Sequence, residues 1–236
     1  MTKWLKSIMG EALFKQSAIV FIGTIFVNVA NLVFWLYMVR ALTPADYATL
    51  NSLIALMALF SVPLNITQIV ITRYVSKFIA LDRQIDVIAL VSFLSRIISL
   101  ILIPIFFFFV FFSSNIGDFL KIKAYGLIFL SGMGVVFGSF SSITMGALSG
   151  LQRFKAVSLN SAATGLTKLS MGISLVSLKM GVLGALLGFV SSLIFSLFFS
   201  LFQLPKWLKD FWKNKSVFHL EKKDIFNYFI PIGLST

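Results

Sequence analysis

The sequence predicts an all-α polytopic membrane protein, with six transmembrane helices forming one lobe and the start of a seventh. Three observations predict it. The 236 residues are 58% hydrophobic and 12% charged, with a mean hydropathy of +0.98, which leaves too little polar surface to clothe a water-soluble globule. Apolar runs that meet the roughly 20 residues demanded by a bilayer core recur along the chain. The 20 Lys and Arg, against 8 Asp and Glu, fall mostly between those runs. Disordered chains and ordinary cytoplasmic enzyme folds are excluded together.

Residues 1–17 place Trp4, Leu5, Ile8, Met9, Ala12 and Leu13 at helical intervals among Lys3, Lys6, Glu11 and Lys15, which reads as an interfacial amphipathic segment. A cleavable signal peptide is the rival reading. The apolar run that follows is longer than a usual signal core, and no clear small-x-small site marks a cut. The lobe itself, residues 18–205, contains four uncharged runs, Ala18–Val39, Tyr47–Thr72, Ala124–Gly150 and Met180–Pro205. Two further spans, Val87–Phe112 and Ala156–Leu178, carry one cation each, Arg96 and Lys168. A basic linker, 206–224, leads to an apolar stretch, 225–236, which at about 1.5 Å per residue is too short to cross a bilayer. That stretch reads as the truncated start of a second lobe.

The cations between spans divide unequally. One side collects Lys3, Lys6 and Lys15, then Arg73, Lys77 and Arg83, then Arg153 and Lys155, and all six lysines of the 206–224 linker. The other side has Arg40, Lys121, Lys123 and Lys179. The positive-inside rule therefore places the N-terminus and the linker in the cytoplasm. A nucleic-acid partner would need a basic face on a soluble domain, and these charges are scattered between apolar spans, so none is expected. With no cysteine and a single histidine, His219, in the polar linker, disulfides, thiolate zinc sites and iron–sulfur clusters are excluded and no metal site is expected.

Polar residues inside the spans form helical stripes. Thr24, Asn28, Asn31 and Trp35 share one face of the first span, and Ser61, Asn65, Gln68 and Thr72 repeat the pattern just after Pro63. Ser92, Arg96 and Ser99 align in the third span. In the fifth, Asn160, Thr164, Thr167, Met171 and Ser174 share a face, with Lys168 at its edge. Interhelical hydrogen bonding explains any one of these residues; four stripes together predict one shared polar interior, with Asn28, Asn31, Asn65, Gln68, Asn160 and Thr164 as candidate ligand contacts. Arg96 and Lys168 are sharper, because a cation in mid-span costs at least about 2.5 to 3.5 kcal/mol on the most lenient scale. Snorkelling is the alternative for Arg96.

All eight acids lie in loops or flanks, so the interior is electropositive, which suits an anionic ligand and argues against a carboxylate proton relay in these helices. Asp82 and Asp86 read as surface salt-bridge partners of Arg83 and Lys77, not as a catalytic pair. Gly134, Gly138, Ser142, Gly146 and Gly150 recur every four residues through the fourth span, and Gly184 and Gly188 repeat the spacing in the sixth; both read as seams of close helix packing. Pro63 and Pro104 are expected to kink their spans, Pro63 being the better candidate for a mobile point. No nucleophile and base pair is present in the spans, so no catalytic residue and no cofactor is expected.

Three segments carry a resemblance. Arg40-Ala-Leu-Thr-Pro-Ala-Asp-Tyr47 resembles the loop between the first two helices of the polysaccharide flippase family, the Wzx-type lipid-linked oligosaccharide transporters. Gly150-Leu-Gln-Arg-Phe154 is similar to another signature of that family, and Pro231-Ile-Gly233 to the entry of its seventh helix. Ala48 departs from the family, which usually has Gly after the Tyr. The resemblance implies membership of the multidrug, oligosaccharidyl-lipid and polysaccharide exporter superfamily, whose flippases have twelve to fourteen helices in two lobes. This chain matches the N-lobe and is about half the expected length. It further implies a multi-pass protein of the plasma (inner) membrane that carries a polyprenyl-pyrophosphate-linked oligosaccharide to the outer leaflet by alternating access. The partners so implied are membrane lipid, that substrate, a second lobe or a second copy, and other polysaccharide assembly proteins. Arg96 and Lys168 would then meet the pyrophosphate or anionic sugars, and the Asn and Gln stripes the sugar hydroxyls. The alternatives are a drug or cation antiporter of the same superfamily, which would need a buried acid, and a non-transporting scaffold or inactive half-protein.

Overall fold

A computed structural model describes residues 2–122 and 124–209, with the helical backbone alone for residues 2–19 and 62–65. The predicted boundaries at 206–224 and 225–236 therefore lie almost wholly outside the described residues. The described chain is all helical. Six long helices, α1 (Thr2–Ala41), α2 (Pro44–Ala80), α3 (Gln84–Phe111), α5 (Tyr125–Gly150), α6 (Phe154–Ser177) and α7 (Gly181–Gln203), are joined by short turns, with two short helices, α4 (Ser113–Leu120) and α8 (Lys206–Lys209), between and after them. The backbone of α1 runs unbroken through residue 17, so no turn separates the amphipathic segment from the span that follows.

Local chemistry sets the turns. Thr43 caps α2 by accepting a hydrogen bond from the Asp46 amide at 3.2 Å, and Pro44 occupies the first turn, where its missing N–H costs nothing. The Arg40–Tyr47 segment is thus a helix stop followed by a helix start, closed by Tyr47 edge-on to Trp35 at 6.1 Å. Ala48 is exposed within α2, so its departure from the family's Gly meets no steric obstacle. Asp82, Gln152 and Lys179 each take positive φ just past a helix end, the left-handed conformation that lets a chain turn out of a helix. As expected, Arg83 Nε pairs with Asp86 Oδ2 at the surface, 2.5 Å apart.

Packing organises the long helices into two sets. α6 lies against α7 and α1, whereas α5 lies against α2 and α3, and the α5–α7 contact joins the sets. α1 and α2, although joined by two residues, diverge onto different neighbours. Phe34, Met38, Leu50, Leu53, Ile71, Phe78 and Leu90 are among the buried core residues. Outward faces are apolar too: Phe21, Leu100, Phe111 and Phe202 are between 67% and 76% exposed, a surface that acyl chains cover and water does not.

Among the described residues four helices are long and apolar enough to cross a membrane: Val20–Ala41, Gln84–Phe111, Tyr125–Gly150 and Gly181–Gln203. A fifth is added when Pro44–Ser61 and Ile66–Ala80, inclined at 44° to one another, are taken as one bent span. The bend falls where the sequence carries Pro63, as expected of a residue that breaks the helical ladder. α3 instead continues as helix through Pro104. The predicted count of six is finer than these criteria support, because α6 carries Lys155, Lys168 and a stripe of amide and hydroxyl side chains.

Candidate functional site

The site is built where α1, α6 and α7 meet beside α5. Lys168 sits about 21 Å along α6 from Phe154. Its Nζ donates a hydrogen bond to Asn31 Oδ1 on α1. The same ammonium lies 5.1 Å from the ring centroid of Phe34 and 5.7 Å from that of Phe189 on α7. A charge-assisted hydrogen bond and two cation–π contacts together stabilise the half-buried ammonium. No carboxylate stands along the middle of any long helix, so the positive charge is held without being neutralised.

Beside Lys168 is a cavity of about 270 Å³ lined by Asn31, Asn160, Ser161, Thr164, Phe189 and Ser192, among others. Its floor is a hydrogen-bond network. The fully buried Asn160 donates from Nδ2 to the Ser196 carbonyl at 3.0 Å, and its Oδ1 accepts from Ser196 Oγ at 2.9 Å and from Thr164 Oγ1 at 3.1 Å. Because the Ser196 proton is committed to Asn160, Ser141 Oγ on α5 donates to Ser196 Oγ across 2.7 Å. Thr144 and Ser200 form a second α5–α7 pair one turn away. Asn160 therefore knits three helices together as well as facing the cavity.

The structure gathers some predicted residues and separates others. Asn31, Asn160, Thr164 and Lys168 share the cavity. Asn28 is exposed on α1 and is not among its lining residues. The Asn65 side chain lies outside the described residues. Gln68 is half-buried, with its backbone against Gly146, and Thr72 Oγ1 lies 3.2 Å from the Gly146 carbonyl; this part of the α2 stripe faces α5 packing. Arg96 is exposed on α3, and α3 packs on α5 and α2. One shared interior holding both cations is thus not what the helices build, because facing depends on neighbours as well as on depth.

The glycine ladder of α5 divides in the same way. A Cβ on Gly146 would come within 2.9 Å of the Gln68 carbonyl, and one on Gly150 within 2.8 Å of the Thr72 carbonyl. These two are backbone-to-backbone packing positions. Gly134 is a close-packing position too, since a Cβ there would run into the Met57 side chain of α2; with Gly138 and Ser142 it also lines a second cavity of about 300 Å³, bounded by Ala58 and Ser61 of α2 and by Phe189 and Leu193 of α7. Sequence reasoning missed Phe34 and Phe189, which no signal distinguishes among 27 Phe. It also missed the α7 acceptor Ser196, which the Ser192, Ser196, Ser200 spacing would have placed on one face. Gly172 was overlooked too: a Cβ on Gly188 would lie 2.5 Å from its backbone. Among the described residues no group of three metal-ligating side chains forms.

Long apolar helices and a polar, cation-bearing cavity between them define a multi-pass helical membrane protein with an internal site of ligand size. The family model described as polysaccharide biosynthesis protein matches residues 13–236, and the chain belongs to that family. No curated protein and no solved structure matches it.

Proposed function

We propose that this protein is a flippase lobe that moves a polyprenyl-pyrophosphate-linked oligosaccharide from the cytoplasmic to the outer leaflet for cell-surface polysaccharide biosynthesis. In this reading all six long helices cross the plasma (inner) membrane, with the N-terminus and the 206–224 linker on the cytoplasmic side. The second lobe of the cleft comes from further chain or from a second copy, and other polysaccharide assembly proteins are partners. The observation that carries the reading is Lys168, a cation held in mid-helix beside a polar cavity by an amide oxygen and two rings. Such a group recognises a phosphate or carboxylate and is wasted on a cationic drug. The absence of acids from the middle of the spans speaks against the antiporter reading in the same way.

Function lies in binding and movement, so no residue is assigned a catalytic role. Lys168 takes the anionic head, while Asn31 and Thr164 offer hydrogen bonds around it and the buried Asn160 holds Thr164 in place. Arg96, exposed on α3 and not among the residues that line the cavity, is assigned an auxiliary contact at most. The test is transport of a fluorescent polyprenyl-pyrophosphate-linked saccharide across proteoliposomes. K168Q is expected to lower the rate at least about tenfold and R96Q by less than about threefold. Unchanged transport in K168Q overturns the proposal.

A further inference from the structure

A groove runs where α1 meets the start of α6, and it shares no lining residue with the Lys168 cavity. Its volume is about 390 Å³. Ile22 and Phe26, one turn apart, form the α1 wall, and Lys155, Leu159 and Ala162 form the α6 wall at the i, i+4, i+7 spacing of one helix face. Gly23 makes the floor, because a Cβ there would strike Ser158 Oγ, so the α1 backbone settles directly on α6. No carboxylate lines the groove. One end is therefore a cation and the rest an open hydrocarbon trough, with Ile22 66% exposed and Leu159 58%.

Neighbouring helices fix the depth of that cation. The apolar spans of α5 and α7 end at Gly150 and Gln203, and Arg153 Nη1 donates to the Gln203 carbonyl at 2.9 Å. The start of α6 is thus level with two span ends, and Lys155, in its first turn, stands at the boundary between hydrocarbon and headgroups. Helical side chains lean toward the N-terminus, so the Lys155 ammonium reaches outward into the headgroup layer while Leu159 and Ala162 lead inward. Arg153 provides no side-chain cap to α6, so the positive end of the helix adds to the same field.

We infer that this groove binds one anionic phospholipid of the bilayer, with its phosphate on Lys155 and one acyl chain in the trough between α1 and α6. Basic pockets between helices at a membrane surface take such headgroups. A zwitterionic lipid brings a cation of its own beside Lys155 and fits less well. The occupant matters to the fold, since α1 packs on α6 far more than on any other helix. A lipid touching both helices clamps the seam that also holds Asn31 against Lys168, about 20 Å further along α6. The inference goes beyond the proposed transport and does not depend on it.

The test uses the full chain in detergent, with phosphatidylglycerol or phosphatidylcholine of the same acyl chains added and the lipid retained per protein counted by native mass spectrometry. Wild type is expected to retain one phosphatidylglycerol about fivefold more strongly than phosphatidylcholine, the worth of one lysine at an anionic headgroup. K155Q should abolish that preference. A162F, which fills the trough from α6, should remove the bound phosphatidylglycerol as well. K206Q removes an exposed lysine of α8 outside the groove and should leave retention within about twofold of wild type. Phosphatidylglycerol should also raise the unfolding temperature of wild type and not that of K155Q; no rise in wild type overturns the clamp. A preference that survives in both K155Q and A162F overturns the site, as does an equal loss in K206Q, which would mean a diffuse basic surface. Displacement of the phosphatidylglycerol by equimolar polyprenyl pyrophosphate overturns the phospholipid assignment, because the groove would then belong to the transported lipid.

Discussion

Asn31 on α1 accepts a hydrogen bond from Lys168 on α6, a pairing across 137 residues of chain. It joins two helices that the sequence marks separately as polar stripes, and it fixes the ammonium against Phe34 and Phe189. Replacing Asn31 with Leu removes the acceptor and leaves a half-buried cation to the rings alone. N31L is expected to destabilise the protein by about 1.5 to 3 kcal/mol, the worth of a hydrogen bond to a charged group. In K168M that bond is already gone, so adding N31L should cost much less. Unfolding in detergent of wild type, both single variants and the double variant measures the coupling; additive effects would mean that the two side chains do not interact.

Asn160 and Asn28 test which amides hold the bundle. Asn160 serves Ser196 and Thr164 and is inaccessible to solvent. N160A strands those partners, and a loss of about 2 to 3 kcal/mol in unfolding free energy is expected. Asn28 is exposed on α1, and N28A should change stability by less than about 0.5 kcal/mol. Equal effects would count against the network as the element joining α5, α6 and α7.

Much of this arrangement was legible in the sequence because the bilayer restricts what a chain can do. Apolar runs mark the helices, and a lone cation inside a helical stretch is either held or reaches water, so Lys168 stood out in the sequence; the structure holds it against Asn31, Phe34 and Phe189. The Asn31 and Asn160 stripes followed from helical periodicity. Arg96 shows what periodicity leaves open: depth in a span does not say which neighbour a face meets, and α3 packs on α5 and α2. The four-residue ladder of α5 was visible for the same reason as the stripes. Its division between Gly134, Gly146 and Gly150, close against α2, and Gly138, in ordinary contact with Leu193 alone, depends on how α2 and α7 sit against α5, which no local pattern encodes. Phe189 was hidden because an aromatic ring in a Phe-rich span looks like lipid-facing surface.

Glycine substitutions distinguish packing from open space. A Cβ on Gly188 would lie 2.5 Å from the Gly172 backbone, where neither helix has a flexible side chain to move aside. G188A is expected to cost about 1 to 3 kcal/mol, as overpacking does elsewhere. G138A meets Leu193 at ordinary contact distance and gains helix propensity, so its stability should match or exceed that of wild type by up to about 1 kcal/mol. Thermal unfolding of both variants in one detergent makes the comparison, and a larger loss for G138A would mean that α5 and α7 pack more closely at that level than the geometry implies.

The number of spans and their orientation are open to direct measurement, because the chain contains no cysteine and single-cysteine labelling therefore has no background. Five exposed positions sample the turns in order: Ala45, Gln84, Phe119, Lys155 and Leu178. If all six long helices cross, successive turns alternate sides. By the positive-inside rule the excess of cations at the Arg73–Arg83 and Arg153–Lys155 turns predicts a cytoplasmic side for those two. A membrane-impermeant maleimide added to intact cells should then label A45C, F119C and L178C, and leave Q84C and K155C unlabelled until the membrane is permeabilised. The α5–α6 and α6–α7 turns carry the decisive comparison, since α6 is the helix whose polarity sets it apart from the other spans. Labelling of K155C and L178C from the same side would show that α6 does not cross, and Lys168 would then lie in a re-entrant segment instead of a transmembrane helix.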